Sequence, residues 1–557
     1  MVKPITDRVH EASSAMLNYL LPTPIVPSVF FSTTFLTIIM KRSSSLLGAL
    51  ACLVALVNAS PLPSLQQAKR PTDSTGLPSL SKMVSVGTGN TILDALGRER
   101  YFHGVNVIYK GAPYYPVYDH FDPQYSFSVE DAQTLQDLNI NVIRLGVEWV
   151  ATEPVRGSYN FTYLDQVKAV VDIANQYNIY VLLDMHQDVY AEEFCGEGFP
   201  HWTITKDVGF PVPVKLHAFT VDSMGIPTEC ASISWAEGQL SIAASKAYQD
   251  LYSNVNGTLD SFAAFWKLVA STFKDNVNVL GYELMNEPWV GSQFDNPLLL
   301  VPGVADSVNL QKTWNTLANA IREVDQDTMI YFEGVTFDNG VVGFSSVPGG
   351  SEFANKSVYS YHYYTPSEGT DITGLDLAIT ANKLQAARLG SSLFLTEFDL
   401  GYDGGSNHAA ALKTIQTADA KLQSWIGYSY KSYVPITGNS PGLWNETTGE
   451  IYPQQTLLYA RTYASAVQGQ AISMSFNDTS YVFSLQFTAD VDNVQGPTEI
   501  RISKTVYYPN GVNVVVASES SHGSATWSLE DDDRIVAVVL ASGVKTGDIV
   551  NVSVSPL

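Results

Sequence analysis

Two glutamates stand where an apolar chain has least use for a carboxylate. Val279-Leu-Gly-Tyr-Glu-Leu-Met-Asn-Glu-Pro-Trp289 begins as a buried parallel strand and ends in Asn286, Glu287 and Pro288. A charge at such an end is avoided unless it is paired or used in chemistry. Pro288 stops the strand, which leaves Glu287 at its C-terminal mouth. Ser392-Leu-Phe-Leu-Thr-Glu-Phe-Asp399 has the same shape and delivers Glu397. One such glutamate is more often an ion-pair partner. Two suggest the carboxylate pair that glycosidic bond cleavage requires, one to protonate the leaving oxygen and one to attack or to activate water.

The surrounding pattern supplies elements to hold such a pair. Apolar runs predict strands over 101–109, 140–145, 179–184, 277–285, 329–333, 358–361, 393–397 and 426–430. Helical periodicity falls between most of them, over 163–177, 258–273, 309–324, 375–389 and 407–423. This alternation predicts an α/β fold, a closed (β/α)8 TIM barrel whose active face lies at the strand C-terminal ends. Those ends carry Lys110, Arg144, His186 and Asp188, Asn286 and Glu287, Glu333, His362 and Tyr363, Glu397, and Tyr430 with Lys431. An ion-pair network would explain a few of them, but polar groups at the same end of every strand point to a site at the mouth. The connection from His186 to about Ala243 is far longer than barrel loops usually are. It carries both Cys195 and Cys230 and an apolar content that includes Phe210, Val212, Leu216 and Phe219. It reads either as a mini-core packed on the barrel or as a wall beside the mouth for an apolar aglycone.

The barrel is expected over 93–469, with a closing helix from Gln454 to Val467. Short alternating runs over 482–488, 499–506, 512–517, 525–529 and 535–540 then predict a small all-β sandwich domain over 470–557. It holds no obvious catalytic group, and covering a barrel flank is favoured over binding sugar.

Composition bounds the partners. The 557 residues are 45% hydrophobic with a net charge of −24, which suits a large globular core and excludes nucleic acid, because phosphate binding needs clustered Lys and Arg. Residues 40–59 have the basic start, short apolar stretch and small-x-small end of a signal peptide. Residues 1–39 then read as an upstream extension from a mis-called start, and 60–92 as a propeptide or linker containing the dibasic Lys69-Arg70. This predicts a secreted, extracellular protein; the alternative is a signal-anchored membrane protein. Removing Cys52 with the signal leaves Cys195 and Cys230, as a disulfide stabilising the chain by about 3 kcal/mol or as two buried thiols. Sequons at Asn160, Asn256, Asn355, Asn445, Asn477 and Asn551 are compatible with a secreted glycoprotein.

With these residues laid out, the chain resembles glycoside hydrolase family 5, and within it the endoglycoceramidases. Arg144, His186, Asn286-Glu287-Pro288, His362-Tyr363 and Glu397 carry the broad likeness. The specific part is Gly104-Val-Asn-Val-Ile-Tyr-Lys-Gly-Ala-Pro-Tyr-Tyr-Pro116, Val142-Ile-Arg-Leu-Gly-Val-Glu-Trp149 with Glu153-Pro154, and Tyr180-Val-Leu-Leu-Asp-Met-His-Gln-Asp-Val189 followed by Glu193-Phe-Cys-Gly-Glu-Gly-Phe-Pro-His-Trp202. The resemblance implies a retaining enzyme that releases the whole glycan from ceramide in a glycosphingolipid, working at times on a membrane or micelle surface. It implies Glu287 as acid/base and Glu397 as nucleophile, about 5 to 5.5 Å apart. It places Asn286 on the sugar 2-hydroxyl, has Arg144 keep Glu397 charged, and has His362 and Tyr363 orient the carboxylates. His186, Asp188 and Lys110 would bind the first sugar. Strand eight departs from the family pattern, which puts a Trp platform at its end: Trp425 falls too early, so Tyr430 or Lys431 takes that place. A β-glucosidase acting on glucosylceramide or steryl glucoside is the alternative. No cofactor is expected and no metal, because His186 and Asp188 lack a third ligand in a metal pattern. Nothing in the sequence bears on oligomeric state.

Overall fold

A computed structural model describes residues 80–205, 230, 233–336, 338, 340–364, 372–400, 406–433, 442–518 and 525–557. The expected signal peptide, the upstream extension, Lys69-Arg70 and the apolar loop residues Phe210 to Phe219 lie outside the described residues.

Eight parallel strands close into a barrel in chain order: β1 (His103–Val107), β2 (Val142–Gly146), β3 (Tyr180–Asp184), β4 (Val279–Glu283), β5 (Met329–Glu333), β6 (Ser357–Tyr363), β7 (Ser392–Phe398) and β8 (Trp425–Gly427). The last strand closes it, pairing Leu395 with Trp425 on one side and Trp425 with His103 on the other. The period of two in a strand sorts the side chains. Ile143, Leu145, Val181, Leu183, Tyr282 and Phe332 point outward into the helix layer. Val142, Tyr180, Leu182, Met329, Tyr331, Val358, Phe394 and Ile426 fill the interior, joined by Leu80, Met83 and Ile92 from the N-terminal hairpin, which plugs the lower end. Two residues further along the strands, the inward positions become Arg144, Asp184, Glu283 and Glu333, all buried. A charged layer therefore rests directly on an apolar one, as barrel layering dictates.

The helices form where their buried stripes can cover this sheet. Thr258–Phe273 buries Phe262, Phe265, Trp266, Val269, Ala270 and Phe273, a stripe at helical spacing. Phe161–Gln176 starts where the Asn160 side chain accepts a hydrogen bond from the Tyr163 amide.

The sandwich corrects two expectations. The predicted closing helix stops at Tyr459, and Tyr463–Val467 is a strand instead. It pairs with Glu99–Arg100 and Thr498–Arg501, so tertiary pairing overrides the modest helical tendency of Tyr-Ala-Ser-Ala-Val. The sandwich also takes strands from before the barrel. Met83–Val86, Ile92–Asp94 and Glu99–Arg100 belong to its seven-stranded sheet, which faces a four-stranded sheet of Gly469–Phe476, Phe483–Ala489, Ile549–Pro556 and Val512–Ser518. The boundaries at 93 and 470 therefore cut through one sheet. Arg98 ties the two ends of the chain together, with Nη1 2.5 Å from Glu499 Oε1 and Nη2 2.9 Å from Asp94.

Leu182 is fully buried in the interior layer beneath Asp184. Leu182→Ala is expected to cost about 2–5 kcal/mol in urea unfolding; a loss below about 1 kcal/mol would mean that the interior is not close-packed there.

Candidate active site

At the upper end of the barrel the polar layer is organised around one guanidinium. Arg144 is sealed from solvent. Its Nε lies 2.5 Å from Glu283 Oε2, Nη1 donates to Asn106 Oδ1 at 3.0 Å and to Glu397 Oε2 at 3.2 Å, and Nη2 donates to Asn286 Oδ1 at 2.9 Å. Asp184 Oδ2 is 3.0 Å from Nη2. Burial alone would disfavour the charge, but Asp184, Glu283, Glu397 and Glu333 outweigh it and hold the group charged.

Glu287 stands beyond the end of β4 with a φ of 43°, a left-handed conformation that costs a non-glycine residue about 1–3 kcal/mol. Neighbouring hydrogen bonds hold it there. Gln187 Nε2 donates to the carbonyls of Asn286 and Glu287 at 2.7 and 3.2 Å, and the Glu287 amide donates to Glu333 Oε2 at 3.2 Å. Its carboxylate meets His362 Nδ1 at 2.9 Å, while His362 Nε2 lies 2.8 Å from Glu333 Oε1. Burial lowers the imidazole's affinity for a proton, but Glu333, Glu397 and Glu287 raise it well above the ordinary value. Glu397 accepts a short hydrogen bond from the Tyr364 hydroxyl. One oxygen each of Glu287 and Glu397 and one nitrogen of His362 lie within 4.8 Å of one another. Burial raises the Glu287 pKa, His362 opposes the shift, and the negative charge of Glu397 adds to it. Arg144, Asp184 and Glu283 have no exposed side-chain surface, whereas Glu287 keeps 12% and Glu397 7%. Of the carboxylates gathered around Arg144 and His362, these two are therefore the most open to a ligand.

A second cluster lies beside the pair. Lys110 makes a short ion pair with Asp188 and sits 3.4 Å from Glu197. His186 Nδ1 meets Asp184 at 2.8 Å, and Trp235 Nε1 donates to Asp188 Oδ1 at 2.7 Å. Glu197 is a third potential ligand beside His186 and Asp188, which the sequence pattern did not reveal, and the His186, Asp188 and Glu197 donor atoms converge within 4.8 Å. The Lys110 ammonium already supplies the positive charge there. Cys195 and Cys230 form a disulfide with Cα atoms 5.2 Å apart, two residues from Glu197.

The structure brings Lys110, Arg144, His186, Asp188, Asn286, Glu287, Glu333, His362 and Glu397 together and sets three expected residues aside, Tyr363, Tyr430 and Lys431. Tyr363 follows the outward register of β6, and its hydroxyl lies where a side chain on Gly374 would meet it at 2.9 Å. The next residue, Tyr364, reaches Glu397 after the strand ends. On strand eight, Tyr430 turns away from the mouth, and its hydroxyl donates to Asp131 at 2.7 Å. Lys431 pairs with the same carboxylate at 2.5 Å. Tyr428 takes the place instead, its ring 5.4 Å from the Lys110 ammonium. Asn106, Asp184 and Glu283 were not singled out from the sequence, although Asn106 and Asp184 each lie an even number of residues from an inward apolar position, Phe102 and Leu182.

Comparisons with known proteins agree with this geometry. Residues 120–434 match the cellulase family, glycosyl hydrolase family 5, and residues 461–554 match the glycoside hydrolase family 5 C-terminal domain. An endoglycoceramidase of Hydra vulgaris is 40% identical over 76% of this chain and 81% of its own. The chain belongs to glycoside hydrolase family 5, among its endoglycoceramidases. A second endoglycoceramidase, from Cyanea nozakii, is 37% identical over 80% of this chain and 88% of its own. The solved endo-glycoceramidase II from Rhodococcus sp. superposes with a TM-score of 0.63 at 25% identity, covering 84% of this chain and 99% of that one. Family membership agrees with the barrel, the appended sandwich and the paired carboxylates.

The tyrosine assignment can be tested directly. Tyr364→Phe is expected to lower kcat by about tenfold or more, because it removes a hydrogen bond to a charged group, while Tyr363→Phe stays within about threefold of the parent. The reverse order in steady-state kinetics would return the role to Tyr363.

Proposed function

We propose that the chain is a retaining glycoside hydrolase that cleaves the β-glycosidic bond between the glycan headgroup and ceramide of glycosphingolipids. The observation that carries this is the approach of the Glu287 and Glu397 oxygens to within 4.8 Å at two strand ends. An approach that close suits direct attack by one carboxylate, as in retaining pairs about 5–5.5 Å apart, better than the separation of about 6.5–9.5 Å with which an inverting pair holds a water.

The environments divide the roles. Glu397 receives hydrogen bonds from Arg144 and Tyr364, donors that favour a charged nucleophile. Burial, and then the charge of Glu397, raise the Glu287 pKa against the lowering effect of His362, which favours the protonated form that an acid needs. Glu397 attacks the anomeric carbon while Glu287 protonates the departing ceramide oxygen. Glu287, now ionised, takes a proton from water, and that water releases the glycan from Glu397. His362 orients Glu287, and the group around Lys110, His186 and Asp188 binds the sugar with Asn286. The lipid substrate brings the enzyme transiently to a membrane or micelle surface. Secretion is supported by the signal-like residues 40–59 and by the Cys195–Cys230 disulfide, a bond that persists in oxidising compartments.

Incubation with lactosylceramide or a ganglioside is expected to yield intact oligosaccharide and ceramide by mass spectrometry. Release of glucose from monoglucosides alone would sink this reading. Glu397→Ala is expected to abolish turnover, and Glu287→Ala to recover in part with azide or a good leaving group; rescue with the roles exchanged would reverse the assignment. Because the raised pKa belongs to a group that acts in its protonated form, kcat/KM is expected to be sustained into the mildly acidic range and to fall as pH rises through the Glu287 pKa.

A further inference from the structure

The segment Phe194-Cys-Gly-Glu-Gly-Phe-Pro200 is the most distinctive stretch of the sequence, and the mechanism so far gives its glutamate no task. Its geometry is specific. Asp188 and Glu197 form an isolated antiparallel bridge, with the Asp188 amide donating to the Glu197 carbonyl at 3.2 Å and the Glu197 amide donating back at 2.8 Å. The glycines on either side make this approach possible. A side chain at Gly196 would come within 1.9 Å of the Asp188 carbonyl oxygen, and one at Gly198 within 2.4 Å of the His186 carbonyl oxygen. Gly198 also has a φ of 109°, a left-handed conformation that favours glycine.

Residues directly opposite in such a bridge project to the same face. Two carboxyl groups are thus set side by side, both buried, with one ammonium, Lys110, shared between them. Like charges so placed repel strongly in a dry site unless one carries a proton. Glu148, from the loop after β2, tightens this constraint, being fully buried with no hydrogen-bond partner for either oxygen among the described residues. The charged and titratable groups facing Glu197 are Lys110 and Tyr114 after β1, Glu148 after β2, and His186 and Asp188 after β3. Asp184 is already shared by Arg144 and His186, and Lys110 and His186 cannot neutralise Asp188, Glu148 and Glu197 together.

We propose that Glu197 is a positioning residue that, as a neutral carboxyl, hydrogen-bonds to Asp188 and holds Asp188, Lys110 and His186 in the arrangement that meets the sugar. This rests on the reading of those three residues as the sugar-binding end of the mouth. Glu197 itself is sealed from solvent and does not touch substrate. The same environment, burial first and then the Asp188 charge against the opposing Lys110, pushes its pKa up to about 8. Below that pH the group is neutral and the arrangement stands; above it a second negative charge appears beside Asp188 and the arrangement loosens.

Two measurements test this. KM for lactosylceramide, followed against pH in the parent, Glu197→Gln and Glu197→Ala, is expected to rise above pH about 8 in the parent. It should stay flat in Glu197→Gln, which mimics the neutral acid, and be raised about tenfold or more at every pH in Glu197→Ala. Infrared difference spectra need no substrate and remain informative if the lipid reading fails or if Glu197→Ala does not fold. The parent should show a buried carboxylic-acid C=O band that disappears as pH rises through about 8, and Glu197→Gln should lack it. Glu197→Gln as damaged as Glu197→Ala, or an infrared band unchanged by Glu197→Gln, would overturn the proposal.

Discussion

The guanidinium of Arg144 lies inside the barrel with no exposed surface, and Asp184, Glu283 and Glu397 all reach it at 3.2 Å or closer. Burying such a group is costly unless its donors are all engaged, and here they are, with Asn106 and Asn286 accepting what the carboxylates do not. Those partners come from β1, β3, β4 and β7, so satisfying one cation requires the barrel to close in register. Folding and the placement of Glu397 are thus one problem. If Arg144 were replaced by an apolar residue, Glu283 would lose its paired cation and Asp184 and Glu397 would keep only His186 and His362, an arrangement that costs far more than the lost packing.

The same accounting extends across the mouth. Among the described residues, Glu148, Asp184, Asp188, Glu197, Glu283, Glu287, Glu333 and Glu397 meet only Lys110, Arg144, His186 and His362 as cations, and almost all of these groups are buried. Carboxylates in such excess must hold protons. The environment raises the pKa of Glu148, Glu197, Glu287 and Glu333, Glu333 to about 7. The upward shift at Glu287 therefore comes from neighbouring negative charge as well as from its own burial. The imidazole of His362 bridges Glu287 and Glu333, so a charge on either carboxyl acts on the other through it.

Much of this was legible in the sequence because barrels put chemistry at strand ends, and a carboxylate ending an apolar run is visible one residue at a time. The layer beneath was harder to see. Asp184 and Glu283 lie within their strands, where a charge reads as an interruption until the inward register shows that both face Arg144. Tyr363 and Tyr364 are adjacent and chemically identical, and only the end of β6 after Tyr363 decides which one reaches Glu397. The strand at Tyr463–Val467 was hidden for another reason. Its small residues are compatible with either period, and its partners, Glu99–Arg100 and Thr498–Arg501, are remote in the chain.

Strand eight shows how one residue's packing moves the site's aromatic to another. Trp425 is fully buried at the start of the strand, stacked on His103 at 4.3 Å, with its Nε1 donating to Asp419 at 3.2 Å. Tyr463 covers the other side of His103 at 3.6 Å, and Arg461 reaches the same aspartate at 3.2 Å. The indole is therefore consumed in the seam between barrel and sandwich, at the end of the barrel away from the carboxylate pair. The sandwich stabilises the closing strand without approaching the chemistry. The ring left to face the mouth is Tyr428, which sits near both Lys110 and Glu397 and lies under the Lys110 ammonium. A phenol placed there offers a smaller stacking surface than an indole and adds a hydroxyl. The mouth therefore presents a phenol ring beside the Lys110 and Asp188 pair, while the indole of strand eight is committed to the seam below.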